Sequence, residues 1–414
     1  MSIGGTTAAG IAASVRDLVG TGRIGPGDAL PPIRALATEL GVNRNTVATA
    51  YRQLVAAGVA ETHGRGGTVI TRLPAVARDG ASARRELIDL AGGNPDPALL
   101  PDVGAYIAGY APALYGAPAE LPGLVALARE RFELACPFEV IVTHGAVDAI
   151  ERLLDAHLTR GDAVAVEDPC FLAHISTLRL NGFAALPVAV DAQGMTPDGL
   201  ERALEAGARA VICTPRAHNP TGASVTAARA AELRAVLSRH PHVLVVEDDH
   251  FWALSTASYE RVTPPGCPRW ALVRSTAKFL GPDLRVALVA ADAVTAERLH
   301  ARLGPATTWV SHLLQHAVAG MLADPAIEAL RLRARAAYAE RAAPLGGADG
   351  LNAWIETAVT PEALAARGWR VRPAAAFAVG EPRRAIRVTT STLTPEQAEA
   401  FASDLGKETA CSPA

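Results

Sequence analysis

Six short apolar runs recur between residues 140 and 289, and stretches with a helical pattern separate them. The runs are residues 140–143, 163–166, 210–213, 243–246, 271–273 and 286–289. A strand that is apolar along its whole length, rather than at alternate positions, is typical of burial on both faces. Such strands, alternating with helices, predict a mainly parallel sheet that helices cover on both sides. We therefore expect an α/β major domain over residues 89–414.

The composition is that of a globular chain and argues against several other classes. Of the 414 residues, 50% are hydrophobic and 20% are charged. No apolar run approaches the roughly 18 residues of a membrane span, and no basic segment followed by an apolar one marks a secretory signal. The five cysteines are widely spaced and form no C-x-x-C pair. This pattern favours reduced thiols in a cytoplasm over a disulfide framework or a zinc site, so we expect no membrane partner and no metal.

Charge is divided unevenly along the chain. Residues 1–72 carry seven arginines against four acidic residues, a net charge of +3, whereas the remainder has 32 basic and 38 acidic residues, a net charge of −6. A small basic module ahead of a large acidic body is expected when only the first part meets a polyanion.

The basic module has the pattern of a helix-turn-helix. Residues 8–20 are predicted to form a first helix, and apolar residues at helical spacing predict a second over residues 32–40. Asn43 is the expected N-cap of a third helix that extends to Gly58. Two helices joined by a glycine-containing turn are typical of a helix-turn-helix.

The segments around these helices complete a winged helix-turn-helix domain over residues 1–72. Residues 59–70 are predicted to form two short strands around a glycine-rich tip. The glycines of residues 20–27 indicate an inter-helix loop and not a phosphate loop, because no Lys-Ser/Thr follows them. Residues 73–88, of mixed charge, are the expected linker to the major domain.

The N-terminal end of the second helix of such a motif enters the major groove of DNA. Arginine can bond guanine there, asparagine can bond adenine and threonine can hold a phosphate. The alternative is that these side chains only cap a solvated helix, and for Asn43 alone both interpretations stay open. The candidate DNA-binding residues are Arg34, Asn43, Arg44, Asn45 and Thr46 on the helices, with His63 and Arg65 at the wing tip.

Residues 25–54, GPGDALPPIRALATELGVNRNTVATAYRQL, resemble the winged-helix domain of GntR-family regulators in residue order. The resemblance covers nearly all of residues 10–72. It implies a double-stranded DNA operator as partner.

Lys278 is one of only two lysines in a chain that has 37 arginines; the other is Lys407. An interior lysine in such a chain is expected to do what a guanidinium cannot, namely lose its proton and attack a carbonyl to form a Schiff base. Ser275 and Arg285 flank it at distances along the chain that suit a bound anion. The alternative is an ordinary surface lysine.

Two further features favour a pyridoxal phosphate site around Lys278. Asp248 stands just past a predicted buried strand, where a carboxylate can keep a pyridine nitrogen protonated. The motif IVTHGAV (residues 141–147) leads from a strand into a helix, and the backbone N–H groups at Gly145 and Ala146 can cradle a phosphate. Taken alone, Asp248 could cap a loop and Gly145 could form only a tight turn.

Residues from about 89 to 405 resemble a fold-type I aminotransferase, and the whole chain is similar to MocR-type members of the GntR family. The resemblance implies that Asn219 lies near the phenolic oxygen of the cofactor and that Phe171 stacks on the pyridine ring. It also implies that Tyr115 reaches the phosphate of a partner subunit in a homodimer, and that Arg387 grips a substrate carboxylate. For Arg387 the alternative is a surface arginine on an edge strand.

One residue departs from the family pattern. His250 follows the Asp pair where a tyrosine is usual; it can still bond the cofactor oxygen, but we expect slow transamination. The first hypothesis is a regulator that senses pyridoxal phosphate or an amino compound. The second is a working aminotransferase with an accessory N-terminal domain, and the third is a repressor whose large domain only dimerises. Retention of Arg34, Arg44 and Arg65 favours the first.

Overall fold

The computed structural model describes residues 3–62, 67–71, 87–347 and 349–411. The chain divides into two compact units, residues 1–75 and 76–414. Of the predicted features, the wing-tip residues His63 and Arg65 and nearly all of the linker lie outside the described residues.

The small unit is a three-helix domain with a two-stranded wing. Ile11, Val15, Leu36, Val47 and Leu54 pack together in its core, and each is essentially inaccessible to solvent. The two wing strands are antiparallel, with Ala60 opposite Ile70. The elements are α1 (Ala8–Gly20), α2 (Ile33–Leu40), α3 (Arg44–Ala56), β1 (Ala60–Thr62) and β2 (Thr68–Ile70).

Local hydrogen bonds fix the turn between α2 and α3. Gly41 ends α2 in a left-handed conformation (φ 62°), which glycine adopts without the strain that a Cβ brings. Asn43 caps α3 as predicted, because its side chain accepts a hydrogen bond from the backbone nitrogen of Asn45 at 2.8 Å. The hydroxyl of Tyr51 donates to the backbone oxygen of Pro31 at 2.7 Å, which ties α3 to the start of α2.

The large unit contains an eight-stranded sheet within the described residues, a three-stranded sheet near its C-terminal end, and a short two-stranded pairing. Its strands are β3 (Ile88–Asp89), β4 (Glu139–Thr143), β5 (Ala163–Asp168), β6 (Ala184–Asp191), β7 (Gly194–Met195), β8 (Ala208–Cys213), β9 (Leu244–Asp248), β10 (Trp270–Ser275), β11 (Ala287–Ala291), β12 (Asn352–Glu356), β13 (Trp369–Arg370), β14 (Arg372–Pro373) and β15 (Ala385–Thr389).

Eleven α-helices of the described chain accompany these strands. They are α4 (Gly104–Ile107), α5 (Pro122–Phe132), α6 (Ala146–His157), α7 (Leu172–Asn181), α8 (Pro197–Glu205), α9 (Ala227–Ser238), α10 (Ala293–Thr307), α11 (His312–Ala323), α12 (Pro325–Ala342), α13 (Pro361–Ala366) and α14 (Pro395–Cys411). No helix within the described ranges has both the length and the apolar character needed to cross a bilayer.

The large sheet is mainly parallel, as predicted. Its order is β4-β11-β10-β9-β8-β5-β6-β7, and only β11 and β7 run against the other strands. Alternate residues of one strand enter two different cores: Trp270 and Leu272 face one, and Ala271 and Val273 face the other. Burial on both faces explains why the six predicted runs are continuously apolar.

Two parts of the fold were not predicted. Strand β6 lies near the edge of the sheet, contains Pro187 and is only partly buried, so its sequence carries no continuous apolar run. The second is the small antiparallel sheet of β12, β15 and β14, in which β15 is the central strand.

A buried ion cluster joins the loops at the C-terminal ends of β8, β9 and β10. Asp249 is 0% exposed and accepts hydrogen bonds from Arg216 Nε (2.7 Å) and Nη2 (2.8 Å) and from Arg274 Nε (2.9 Å). The guanidinium of Arg274 also lies 5.1–5.4 Å from the ring centres of Phe132, Trp252 and Tyr259. These contacts hold three loops in one arrangement.

We predict that Asp249→Ala lowers the free energy of unfolding by about 3–5 kcal/mol, because it leaves two buried guanidinium groups without their carboxylate. Chemical denaturation of the full chain measures the change. Glu399→Ala, which removes an exposed carboxylate from α14, is the control and should change stability by at most about 0.5 kcal/mol. Equal effects of the two variants would contradict a stabilising role for this cluster.

Candidate functional site

The predicted DNA-facing side chains of the small unit share one exposed surface. Arg34, Asn43, Arg44 and Asn45 are exposed, and Thr46 is half-buried. Arg34 and Arg44 both line an open cleft at the junction of α2 and α3, together with Thr38, Gly41 and Val42. The surface therefore presents two guanidinium groups around the start of α3.

Sequence reasoning missed Arg52 on the same helix. It is exposed, and its Nη2 donates to Thr49 Oγ1 at 2.9 Å. Positions 45, 49 and 52 lie on one face of a helix because their spacing is four and three residues. The signal was available in this spacing, but the prediction considered only the first turn of α3.

In the large unit, Asp248 is the last residue of β9 and not the first residue beyond it. The carboxylate is buried, and Oδ2 lies 3.2 Å from His174 Nε2 and 4.0 Å from His250 Nδ1. Within the part of the chain that the structure describes, Oδ1 has no hydrogen-bond partner. Oδ2 thus faces two histidines, and Oδ1 remains available to a ligand.

The surroundings of Asp248 lower its pKa. Burial by itself raises the pKa of this carboxyl, but its contact with His174 and the electrostatic influence of the nearby histidines outweigh burial and lower the pKa below its usual value. Burial lowers the pKa of His250 despite the opposing charge of Asp248. The site therefore pairs an anionic carboxylate with a histidine that favours its neutral form.

Lys278 lies three residues beyond the end of β10, and its side chain is half-buried. Its Nζ donates to the backbone oxygen of Gly93 at 2.8 Å. Ser275, the last residue of β10, accepts a hydrogen bond from the nitrogen of Ala277 at 3.2 Å through its hydroxyl. The loop that carries both residues is thereby closed into a tight turn.

The residues predicted to cradle a phosphate lie at the start of α6. Gly145 is the N-cap, with φ 92°, and Ala146 is the first residue of the helix. Arg285 Nη2 donates to the backbone oxygen of His144 at 3.3 Å, and a Cβ on Gly145 would lie only 2.6 Å from that nitrogen. Glycine is therefore required for the arginine to approach the helix start, where N–H groups favour anions.

Phe171 caps α7 and has aromatic neighbours on two sides. Its ring is nearly parallel to His250 (8°, centroids 6.5 Å apart) and perpendicular to His174 (5.3 Å). His174 therefore contacts both Phe171 and Asp248, and His250 lies beside the same two residues. Sequence reasoning missed His174, although a histidine in the buried part of α7 was an available signal.

Glu167 and His218 form a second buried pair that the sequence did not reveal. Glu167 accepts from Thr214 nitrogen (2.9 Å) and hydroxyl (2.8 Å), and His218 Nε2 lies 3.4 Å from it. Burial raises the pKa of Glu167 to about 8 and lowers the pKa of His218 to about 3. Near neutral pH this pair is therefore uncharged, unlike the neighbouring Asp248.

Arg387 is not on an edge strand or at the surface, so the alternative considered for it is wrong. It lies on the central strand β15 and is 0% exposed. Its guanidinium donates to Asn219 Oδ1 (3.1 Å) and to the backbone oxygen of Ala91 (2.6 Å), and it lies 5.0 Å from the centre of the Phe377 ring. The predicted substrate residue is thus in contact with the predicted cofactor residue Asn219.

Tyr115 does not approach this site within its own chain. The residue is 91% exposed, its neighbour Leu114 is 78% exposed, and its ring lies 5.7 Å from that of Trp309.

Comparison with known proteins identifies both units. Residues 7–70 match the family of bacterial regulatory proteins described as gntR, and residues 119–405 match aminotransferase class I and II. The chain is 47% identical to the vitamin B6 salvage pathway transcriptional repressor PtsJ of Salmonella typhimurium, over 97% of this chain and 98% of that protein. The chain is a MocR-type member of the GntR family. Both the predicted family and the predicted fold class are confirmed.

Other relatives of this regulator agree with that assignment. It is 29% identical to the pyridoxine biosynthesis transcriptional regulator PdxR of Corynebacterium glutamicum, over 79% of this chain and 75% of that protein. Among solved structures, α-aminoadipate aminotransferase LysN of Thermus thermophilus has a TM-score of 0.70 at 23% identity, covering 79% of this chain and 93% of that one. That similarity shows the fold of the large unit.

Pyridoxal phosphate is the cofactor of class I and II aminotransferases, and the atoms of this regulator fit it. The buried Oδ1 of Asp248, which has no hydrogen-bond partner among the described residues, suits a protonated pyridine nitrogen. The glycine cradle beside Arg285 suits a phosphate. Lys278 would supply the amine that the cofactor's aldehyde requires.

We predict that Glu167→Gln flattens the pH dependence of stability between about pH 4.5 and 8. A buried carboxyl whose pKa is raised to about 8 binds a proton on folding throughout that window. Its contribution to stability therefore falls as pH rises. The measurement is the free energy of unfolding at several pH values. An unchanged difference between wild type and variant across the window would show that Glu167 is ionised in the folded protein.

Proposed function

We propose that this chain is a homodimeric, cytoplasmic transcription regulator that binds operator DNA through its winged helices and pyridoxal phosphate through its large unit. The observation that carries the proposal is the buried Oδ1 of Asp248, which has no hydrogen-bond partner among the described residues and lies in the same unit as the half-buried Lys278. A ligand is needed to satisfy that oxygen, because an unpaired buried acceptor is costly. The names of the relatives PtsJ and PdxR support genes of vitamin B6 metabolism as the targets.

Each proposed cofactor residue has a task that its surroundings support. Asp248 would hold the pyridine nitrogen, and Phe171 and His250 would contact the ring. Gly145, Ala146, Ser275 and Arg285 would hold the phosphate, and Asn219 would face the phenolic oxygen. When bound, pyridoxal phosphate supplies an aldehyde that links to Lys278 and a ring that withdraws electrons.

The homodimer is proposed from an exposed aromatic segment. Leu114 and Tyr115 are large apolar residues with 78% and 91% of their surface in solvent. Exposed apolar side chains of this size in a loop favour a partner surface. Tyr115 would then contribute to the phosphate site of the second copy.

Catalysis is not required for this role. The relatives that share both units are named as regulators, while the large unit belongs to an enzyme family. We propose that the protein performs little transamination, because His250 replaces the usual tyrosine, and a histidine that bonds the cofactor oxygen differs from tyrosine in pKa and in reach.

Borohydride reduction of the purified protein with pyridoxal phosphate should fix the pyridoxyl group on Lys278. Peptide mapping by mass spectrometry locates the adduct. Lys407, exposed and 3.2 Å from Asp404, is the internal control and should stay unlabelled at stoichiometric cofactor. Labelling of Lys407 alone, or of neither lysine, would refute the cofactor proposal.

Arg44→Ala should weaken binding to DNA from the region upstream of the chain's own gene by about 1–3 kcal/mol, or roughly 5- to 150-fold, if Arg44 reads a base. Titration at fixed salt measures this affinity, and the cofactor spectrum should not change. Arg23→Ala is the matched control, since it removes one exposed charge from the same unit. Equal losses in both variants would assign Arg44 to general charge and not to recognition.

A further inference from the structure

We propose that residues 90–95, here called the strap, occupy the position in the site where the carboxylate of an amino acid would bind. The inference rests on the proposed function and deepens it: the ligand that this chain senses is pyridoxal phosphate itself and not an amino acid. Three sets of contacts carry it, at Arg387, along the strap and at Lys278.

The first set of contacts surrounds the guanidinium of Arg387. Its Nη2 donates to the backbone oxygen of Ala91 at 2.6 Å, and Arg372 Nε donates to the same oxygen at 3.2 Å. Nη1 donates to Asn219 at 3.1 Å, and Phe377 covers one face of the guanidinium. Because Arg387 is 0% exposed, a carboxylate cannot reach it unless one of these groups moves. The carbonyl of Ala91 thus stands where an anionic ligand would have to bind.

The second set consists of hydrogen bonds that fix the strap to residues of the C-terminal part of the large unit. The nitrogen of Gly93 donates to Thr389 Oγ1 at 2.9 Å, and the hydroxyl of Ser391 donates to the oxygen of Asn94 at 2.6 Å. The backbone of Leu90 bonds to Arg370 (2.8 Å) and Thr389 (2.7 Å). A ligand that displaced the strap would have to break several buried hydrogen bonds, so its affinity would fall about tenfold or more.

The third set leaves the aldehyde side of the site accessible. Lys278 is half-buried, and its Nζ donates to the oxygen of Gly93 in the strap at 2.8 Å. Arg285 bonds to His144 at the Gly145 cradle, and Asp248 Oδ2 faces His174 and His250, none of which belongs to the strap. Asp248 Oδ1 has no hydrogen-bond partner among the described residues. The strap therefore leaves the groups proposed to bind the phosphate, the pyridine ring and the aldehyde in place, and it blocks the position at Arg387 that the carboxylate of an amino acid would need.

Linkage of Lys278 to the cofactor's aldehyde would need no further reactant, oxidant or reductant. The amine would take the place of the aldehyde oxygen, which would leave as one water molecule with two hydrogens from Nζ. This exchange would not involve Arg387, Arg372 or the carbonyl of Ala91.

The test is an amino-acid titration of the full-length protein loaded with pyridoxal phosphate, followed by its visible absorbance and by its affinity for upstream DNA. Alanine, glutamate and taurine at millimolar concentrations serve as probes. We expect no spectral change and no change in DNA affinity in the wild type. A spectral shift in the wild type at these concentrations would overturn the proposal.

The double variant Thr389→Val with Ser391→Ala should release the strap while Lys278, Asp248 and Arg387 all keep their native side chains. It should respond to alanine or glutamate at least tenfold more strongly than the wild type. The control is Thr307→Val with Ser238→Ala, which makes the same chemical changes at two helix ends remote in sequence from the strap and should behave as wild type. A folded strap variant that stays insensitive would show that the strap does not exclude these ligands.

A second measurement covers the case in which the strap variant does not fold. Modification of wild-type arginines by a dicarbonyl reagent, mapped by mass spectrometry, should spare Arg387 and label the exposed Arg23, which lies outside the proposed cofactor site. Rapid labelling of Arg387 would refute a closed carboxylate position. Failure of the proposed function has a different signature, since no lysine would then carry a borohydride-fixed adduct and the titration would have no loaded protein to start from.

Discussion

One buried carboxylate, that of Asp249, holds the end of the large sheet on which the candidate site is built. Arg216 and Arg274 share it, and these residues stand in the loops or strands that lead to Asn219 and to Ser275 and Lys278. Asp249 itself follows Asp248. Because charge pairs in a low-dielectric interior tolerate little displacement, one ion cluster fixes the relative positions of residues from three strands.

The neighbouring acidic residues show how strand geometry separates roles. Glu247 and Asp249 alternate with Asp248, so they face the opposite core. Tyr259 and Thr263 bond to Glu247 there, at 3.0 Å for the tyrosine hydroxyl. Asp248 alone faces the histidines. Three consecutive carboxyl groups therefore divide into two that stabilise the fold and one that is available for binding.

The sequence predicted what depends on continuous local patterns. The six apolar runs became strands, and Asn43 became a helix cap, because each is decided by burial or by hydrogen bonds within a few residues. Asp248 and the Gly145 turn were found from their position beside such strands, and Lys278 from the scarcity of lysine in the chain. Their roles stay predictions. His174, Glu167 and the strap were missed because their importance arises from contacts between distant segments. Ala91 and Arg387, for example, are 296 residues apart, and a backbone carbonyl carries no sequence signal.

The scarcity of lysine has a consequence for how such a molecule responds to an aldehyde. Free aldehydes condense with any accessible amine, and an ordinary protein surface offers many. This chain carries 37 arginines, which do not form such linkages, and besides Lys278 has only the exposed Lys407. An aldehyde therefore meets few competing lysine side chains on this molecule, so an adduct at Lys278 would form against little background.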